Sequence, residues 1–165
     1  MLNKMRSKKI VKTKLARRSL LVIVVLAVFL AVAISKNQSD QCSQDYRSDK
    51  VVTIVNELSL NAEVVDTAES RQKGLSVKNC INDSNAMLFV FESSDLHGFW
   101  MKDMKFSIDI IWLDSGKRVV DIRRGVSPDS YPEVFYPSGV ALYVLETSPG
   151  FLESADVSIG SQLSW

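Results

Sequence analysis

The chain has 165 residues, with 20 Lys and Arg against 19 Asp and Glu and a formal net charge of +1, but the charge is unevenly spread. Eight cations (Lys4, Arg6, Lys8, Lys9, Lys12, Lys14, Arg17, Arg18) fall within the first 18 residues, and no acid appears before Asp40, leaving twelve cations against all 19 acids beyond the eight. An acidic remainder has no electrostatic attraction for DNA or RNA, so no nucleic-acid partner is expected.

The basic segment 1–18 abuts an unbroken apolar run over residues 20–34. As a helix this run is about 22 Å long, at about 1.5 Å per residue, against a bilayer core of about 30 Å. Ser19 and Ser35 lengthen it, and Arg17, Arg18 and Lys36 are placed to snorkel to the interface. The pattern predicts a transmembrane anchor over residues 19–35, single-pass, with its basic end cytoplasmic and the C-terminal domain extracytoplasmic. The competing reading is a signal peptide: Ala31-Val32-Ala33 has the small-x-small form that a signal peptidase accepts, and cleavage after Ala33 would secrete the rest. Residues 36–50 are polar and nearly free of aliphatic side chains, so they read as a flexible tether. Residues 51–165 have the length of one domain.

The chain has two cysteines, Cys42 in the tether and Cys80 in the domain. Outside the cytoplasm a disulfide between them is permitted, and in the chain-entropy model it would add roughly 4 kcal/mol, less if the arm stays mobile. The alternative is two free or intermolecular thiols.

In chain order, residues 51–55 and 58–65 are β-branched or alternating and read as strands. Thr67 is suited to cap a short helix that Gly74 ends. The continuous apolar run 87–91 suits a strand covered on both faces. Residues 99–102 and 108–113 are further strands, and Asp114-Ser115-Gly116-Lys117 is a hairpin turn returning through 118–122. Residues 140–145 add a strand, Ser148-Pro149-Gly150 resembles a helix start, and 157–163 closes the chain around Gly160. The fold class predicted is mainly β: an antiparallel β-sandwich or barrel with one or two short helices, preceded by the N-terminal transmembrane helix.

Several segments carry a family resemblance. They are Val64-Val65-Asp66-Thr67, Glu69, Arg71, Gly74-Leu75, Met87-Leu88-Phe89-Val90-Phe91, Phe99-Trp100-Met101-Lys102 and Ile108-Asp109-Ile110-Ile111. Gly116, Val119, Val120, Pro128, Tyr136-Pro137, Tyr143-Val144-Leu145-Glu146, Gly150 and Ile159-Gly160 follow in the same order. In these the chain resembles the DUF192 family, a domain of unknown function found in bacteria and archaea. The resemblance implies a compact, mainly β fold and no established reaction. Ser76, Ala86 and Ser161 depart from the family's usual Met, Gly and Asp, and no cysteine lies between Pro128 and Tyr136, where some members have them.

Candidate ligand-binding residues are Trp100, Lys102, Asp109, Arg71 and Glu146. Lys102 and Asp109 are charges within apolar strands. If the strands pair, they meet as a partly buried ion pair, either bracing the register or holding a ligand. Trp100 and Met101 face opposite sides of a regular strand, so a half-exposed Trp100 beside Lys102 would suit a sugar ring or another flat ligand. Arg71 could form a bidentate bridge to Glu146. His97, the only histidine, reads as a surface residue.

One histidine and two separated cysteines make a metal site improbable, and no phosphate loop, HExxH, dinucleotide fingerprint or nucleophile elbow is present. No metal, cofactor or catalytic residue is implied. The expectation is a membrane-tethered extracytoplasmic binding or accessory module of the cell envelope, with a small ligand or an envelope protein as partner. The alternative is an envelope carbohydrate-active or other hydrolytic enzyme that uses carboxylates.

Overall fold

The computed structural model describes residues 22–36, 42, 46, 48–53 and 59–165. The basic segment 1–18, the first residues of the 19–35 run and most of the 36–50 segment lie outside the described residues. The chain divides into two units, Met1–Asp40 and Gln41–Trp165. In the first, helix α1 covers residues 22–36 with its apolar side chains exposed. No helix among the described residues is long and apolar enough to cross a membrane.

The second unit is built on a six-stranded sheet in the order β1-β2-β3-β8-β5-β6. Its strands are β1 (Lys50–Thr53), β2 (Ser59–Val65), β3 (Asn85–Asp95), β5 (Ile108–Leu113), β6 (Val119–Val126) and β8 (Ala141–Thr147). A second sheet pairs β4 (Phe99–Trp100) with β7 (Val134–Phe135). Helix α2 is Ala68–Lys73 and helix α3 is Phe151–Ser154.

The fold is mainly β with few short helices, as the sequence suggests, but two finer expectations are corrected. The sheet is mixed rather than antiparallel, because β2 runs parallel to β3. It is also open: β1 and β6 are its edges, and no barrel closes. A parallel pair needs a crossover of a dozen or more residues, and residues 66–84 supply it. Thr67 starts α2 by accepting from the Ser70 amide while the Ser70 hydroxyl accepts from the Thr67 amide. Gly74 then opens a 3-10 turn, Gly74–Val77. A six-residue helix was visible in the sequence, but its role as the link between parallel strands was not.

Both faces of the sheet are covered, so β3 and β5 read as continuous apolar runs instead of alternating ones. One face carries Leu60, Leu88, Ile111, Leu113 and Leu145, packed with Phe151 and Leu152 of α3. The other carries Met87, Phe89, Ile108, Ile110, Trp112 and Val144, with Leu75 and Met101. Side chains two residues apart share a face. Glu146 therefore follows Val144 onto the second face, whereas Asp109 follows Ile111 onto the first.

Cys42 and Cys80 form a disulfide. Cys42 is buried, and Tyr46 donates its hydroxyl to the Cys80 carbonyl oxygen at 2.9 Å. The part of the 36–50 segment nearest the sheet thus lies on the β domain, and Lys50 already belongs to β1.

Candidate functional site

A cleft of about 250 Å³ opens on the second face, between the crossover and β4. Leu75, Phe89 and Glu146 are its buried floor, Phe91, Phe99 and Trp100 its aromatic wall, and Arg71, Lys73 and Lys102 its cations.

Glu146 is placed there by the ladder. It lies opposite Met87 on β3 and Ile110 on β5, so apolar neighbours flank it on both sides. It is 5% exposed, and its Oε2 has no hydrogen-bond partner among the described residues. Burial without a counter-charge pushes the Glu146 carboxyl up to about 8. The group is therefore a neutral acid at pH 7, with a donor and acceptors available to whatever enters the cleft.

Arg71 is fixed where β2 ends. Val65 is the last residue paired with β3, opposite Phe89. The Arg71 Nη1 donates to the next carbonyl, that of Val90, at 2.9 Å, and also to the Asp66 carbonyl. Its guanidinium lies over the Phe91 ring, 5.0 Å from the centroid. Both hydrogen bonds use Nη1, and Nε and Nη2 have no hydrogen-bond partner among the described residues. The expected bridge from Arg71 to Glu146 is absent: the two residues line one cleft, but Arg71 bonds main-chain carbonyls. Lys73 is paired with Glu69 at 2.7 Å.

Strand β4 splits its side chains as alternation requires. Met101, just past the strand, is buried, and Trp100 is 50% exposed. Phe99 turns inward, edge-on to Phe89 at 4.9 Å and to Trp112 at 6.0 Å. Lys102 lies over the Trp100 ring, its Nζ 5.9 Å from the centroid. His97 is half-buried, stacked on Phe91 at 3.5 Å, with its ring nitrogen 3.0 Å from the Ser93 carbonyl oxygen.

The anticipated pairing of Lys102 with Asp109 does not form. Asp109 points through the other face of the sheet and is fully buried. Its Oδ1 accepts from the Gly125 amide at 2.7 Å, and its Oδ2 from the Gly150 and Leu152 amides at 3.1 and 3.2 Å. That carboxylate ties β6 and the start of α3 to β5. Of the five candidate residues, Trp100, Lys102, Arg71 and Glu146 share the cleft, and Asp109 is a structural clamp outside it.

Phe91, Phe99 and Leu75 carry the family resemblance but were not among the candidate ligand-binding residues. Gly98 was missed as well. A Cβ there would lie 2.6 Å from the Tyr136 ring and 2.8 Å from Val134, so the bare backbone lets β7 close over the entry to β4. Gly98→Ala is expected to push Tyr136 and Val134 away at a cost of about 1–3 kcal/mol. Faster hydrogen exchange at the amides of Trp100 and Phe135 would report it, and an unchanged rate would show that the ring simply yields.

Residues 50–165 match the family described as DUF192, Uncharacterized ACR, COG1430. Among curated proteins, a UPF0127 protein of Thermococcus sibiricus is 33% identical over 109 residues, 62% of this chain and 64% of its own length. Another, of Thermococcus gammatolerans, is 32% identical over 110 residues, covering 64% of this chain and 66% of its own length. The chain thus spans a little under two thirds of the length of these relatives. Its fold is also similar to the crystal structure of a protein of unknown function from Novosphingobium aromaticivorans DSM 12444, with a TM-score of 0.64 and 25% identity. That likeness covers 70% of this chain and 82% of the other. With its β domain matched from Lys50 to Trp165, the chain belongs to the DUF192 family.

Proposed function

We propose that the protein is a membrane-tethered extracytoplasmic binding module of the cell envelope, and that its ligand occupies the cleft over Glu146. One observation carries the binding role: a buried carboxyl oxygen without a partner sits at the floor of an aromatic-walled, cation-bearing cleft. Buried polar groups are nearly always satisfied, so an exception at the floor of a cleft calls for an explanation, and an entering ligand supplies one. The charge switch and apolar run at residues 1–36 support the tether and its orientation.

The upward shift at Glu146 is also what a general acid would need, and it is the one feature that favours the hydrolase alternative. A glycosidase mechanism, however, pairs two carboxyl groups roughly 5–9.5 Å apart across the scissile bond. Among the described residues Glu146 is the only carboxyl group lining this cleft, and Asp109 faces the other side of the sheet. The described residues also hold no group of three metal-ligating side chains. Binding is therefore the better-supported reading.

Two measurements test it. Protease added to spheroplasts should digest the domain without permeabilisation, and protection would remove the envelope placement. Saturation-transfer NMR with galactose, galacturonate and galactosamine should give a signal with at least one sugar, and Trp100→Ala should abolish it. Silence from all three, and from benzoate tested beside them, would remove the cleft as a binding site.

A further inference from the structure

The chemistry of the cleft narrows the class of ligand. Its volume of about 250 Å³ admits one ring, below the roughly 300 Å³ at which drug-sized sites begin. Lys73 is already paired with Glu69, whereas Arg71 keeps Nε and Nη2 open and Lys102 rests on Trp100. Two cations are thus unspent at the cleft, over an uncharged acid, and an entering group that neutralises them must be anionic. A planar guanidinium fork with two open donors matches a carboxylate.

The surface beyond the mouth indicates that the ligand extends outside it. Trp100, Tyr131 and Tyr136 are 50%, 46% and 56% exposed, and the Trp100 and Tyr131 rings stand 6.1 Å apart. The two rings meet edge to face at 67°, so they offer sugar rings separate, inclined apolar faces beside the cleft. Each ring offers a large contact area at low conformational cost.

Building on the binding reading, we propose that the ligand is an acidic glycan. One sugar-acid ring enters the cleft with its carboxylate on Arg71 and Lys102 and a hydroxyl on Glu146 Oε2, and the adjoining rings cross Trp100 and Tyr131. No bond is made or broken; the site recognises and holds.

The test uses the full chain in detergent micelles and isothermal titration with four probes: trigalacturonate, cellotriose, fully deacetylated chitotriose and benzoate. Trigalacturonate should bind at least tenfold tighter than cellotriose, and chitotriose should not bind. Lys102→Met should weaken trigalacturonate about tenfold and remove most of its preference over cellotriose, whereas Trp100→Ala should weaken both. Both substitutions lie on the surface, and matched thermal melts confirm that each variant is folded. Raising the pH from 7 to 9 should weaken trigalacturonate for the wild type and not for Glu146→Gln. If cellotriose or chitotriose binds as well as trigalacturonate, the acidic character is overturned and the binding module stands. If benzoate alone binds, the glycan is overturned and the cleft again stands. If no probe binds, the glycan is overturned together with the reading beneath it.

Discussion

Replacing Asp109 with Ala is expected to remove a large share of the stability of the β domain. The Asp109 carboxylate accepts from three backbone amides, those of Gly125, Gly150 and Leu152, in a fully buried position. Hydrogen bonds to a charged group contribute roughly 1.5–3 kcal/mol each, and a buried donor left without a partner costs about 1–3 kcal/mol. Even allowing for relaxation of the glycine segments, the loss should reach about 4 kcal/mol, a large share of the roughly 5–15 kcal/mol that holds a typical domain. Asp109→Asn should recover little, because its amide nitrogen would meet another donor. Urea denaturation of the full chain, with Lys102→Met beside it, is the measurement. Were Asp109 braced by Lys102, both variants would suffer; the clamp predicts that Lys102→Met leaves the midpoint where it was. A mild effect of Asp109→Ala would show that water replaces the carboxylate.

Glu146→Gln is expected to raise stability at pH 8 and to flatten its dependence on pH. The carboxyl titrates near 4.5 when unfolded and at about 8 when folded, because burial disfavours its charge. Between these values the folded chain holds a proton that the unfolded chain has lost, so stability falls as pH rises. The contribution is whole below about pH 4.5 and lost by about pH 8. At about 1.4 kcal/mol per unit, it amounts to some 3–5 kcal/mol across that window. Glutamine keeps the shape and cannot ionise. The two proteins should therefore melt together near pH 4.5 and separate progressively toward pH 8, with the variant higher. Parallel profiles would mean that Glu146 is charged and partnered in the folded chain.

The difference between these two acids marks what a sequence reveals and what it hides. Asp109 stood out as a charge within an apolar strand, and Glu146 as a possible carboxylate partner for Arg71. Which face each one takes depends on register, which only the assembled ladder fixes. Asp109 shares a face with Ile111 and Glu146 with Val144, so partners drawn across these strands from sequence alone went astray. The split of Trp100 from Met101 needed only strand alternation and was legible. The parallel pairing of β2 with β3 was not, because its crossover has only a six-residue helix where longer ones usually announce such a link. Phe91 and Phe99 were hidden for another reason: apolar residues look alike in sequence whether they fill a core or line a cleft.

The bridge from Cys42 to Cys80 spans 38 positions and encloses β1, β2 and α2 in one ring of chain. A tug applied upstream of Cys42 therefore passes straight to Cys80, bypassing the edge strand that would otherwise peel first. Under reducing conditions the same tug would fall on the Tyr46 and Asp49 hydrogen bonds and then unzip β1 from β2 one residue at a time.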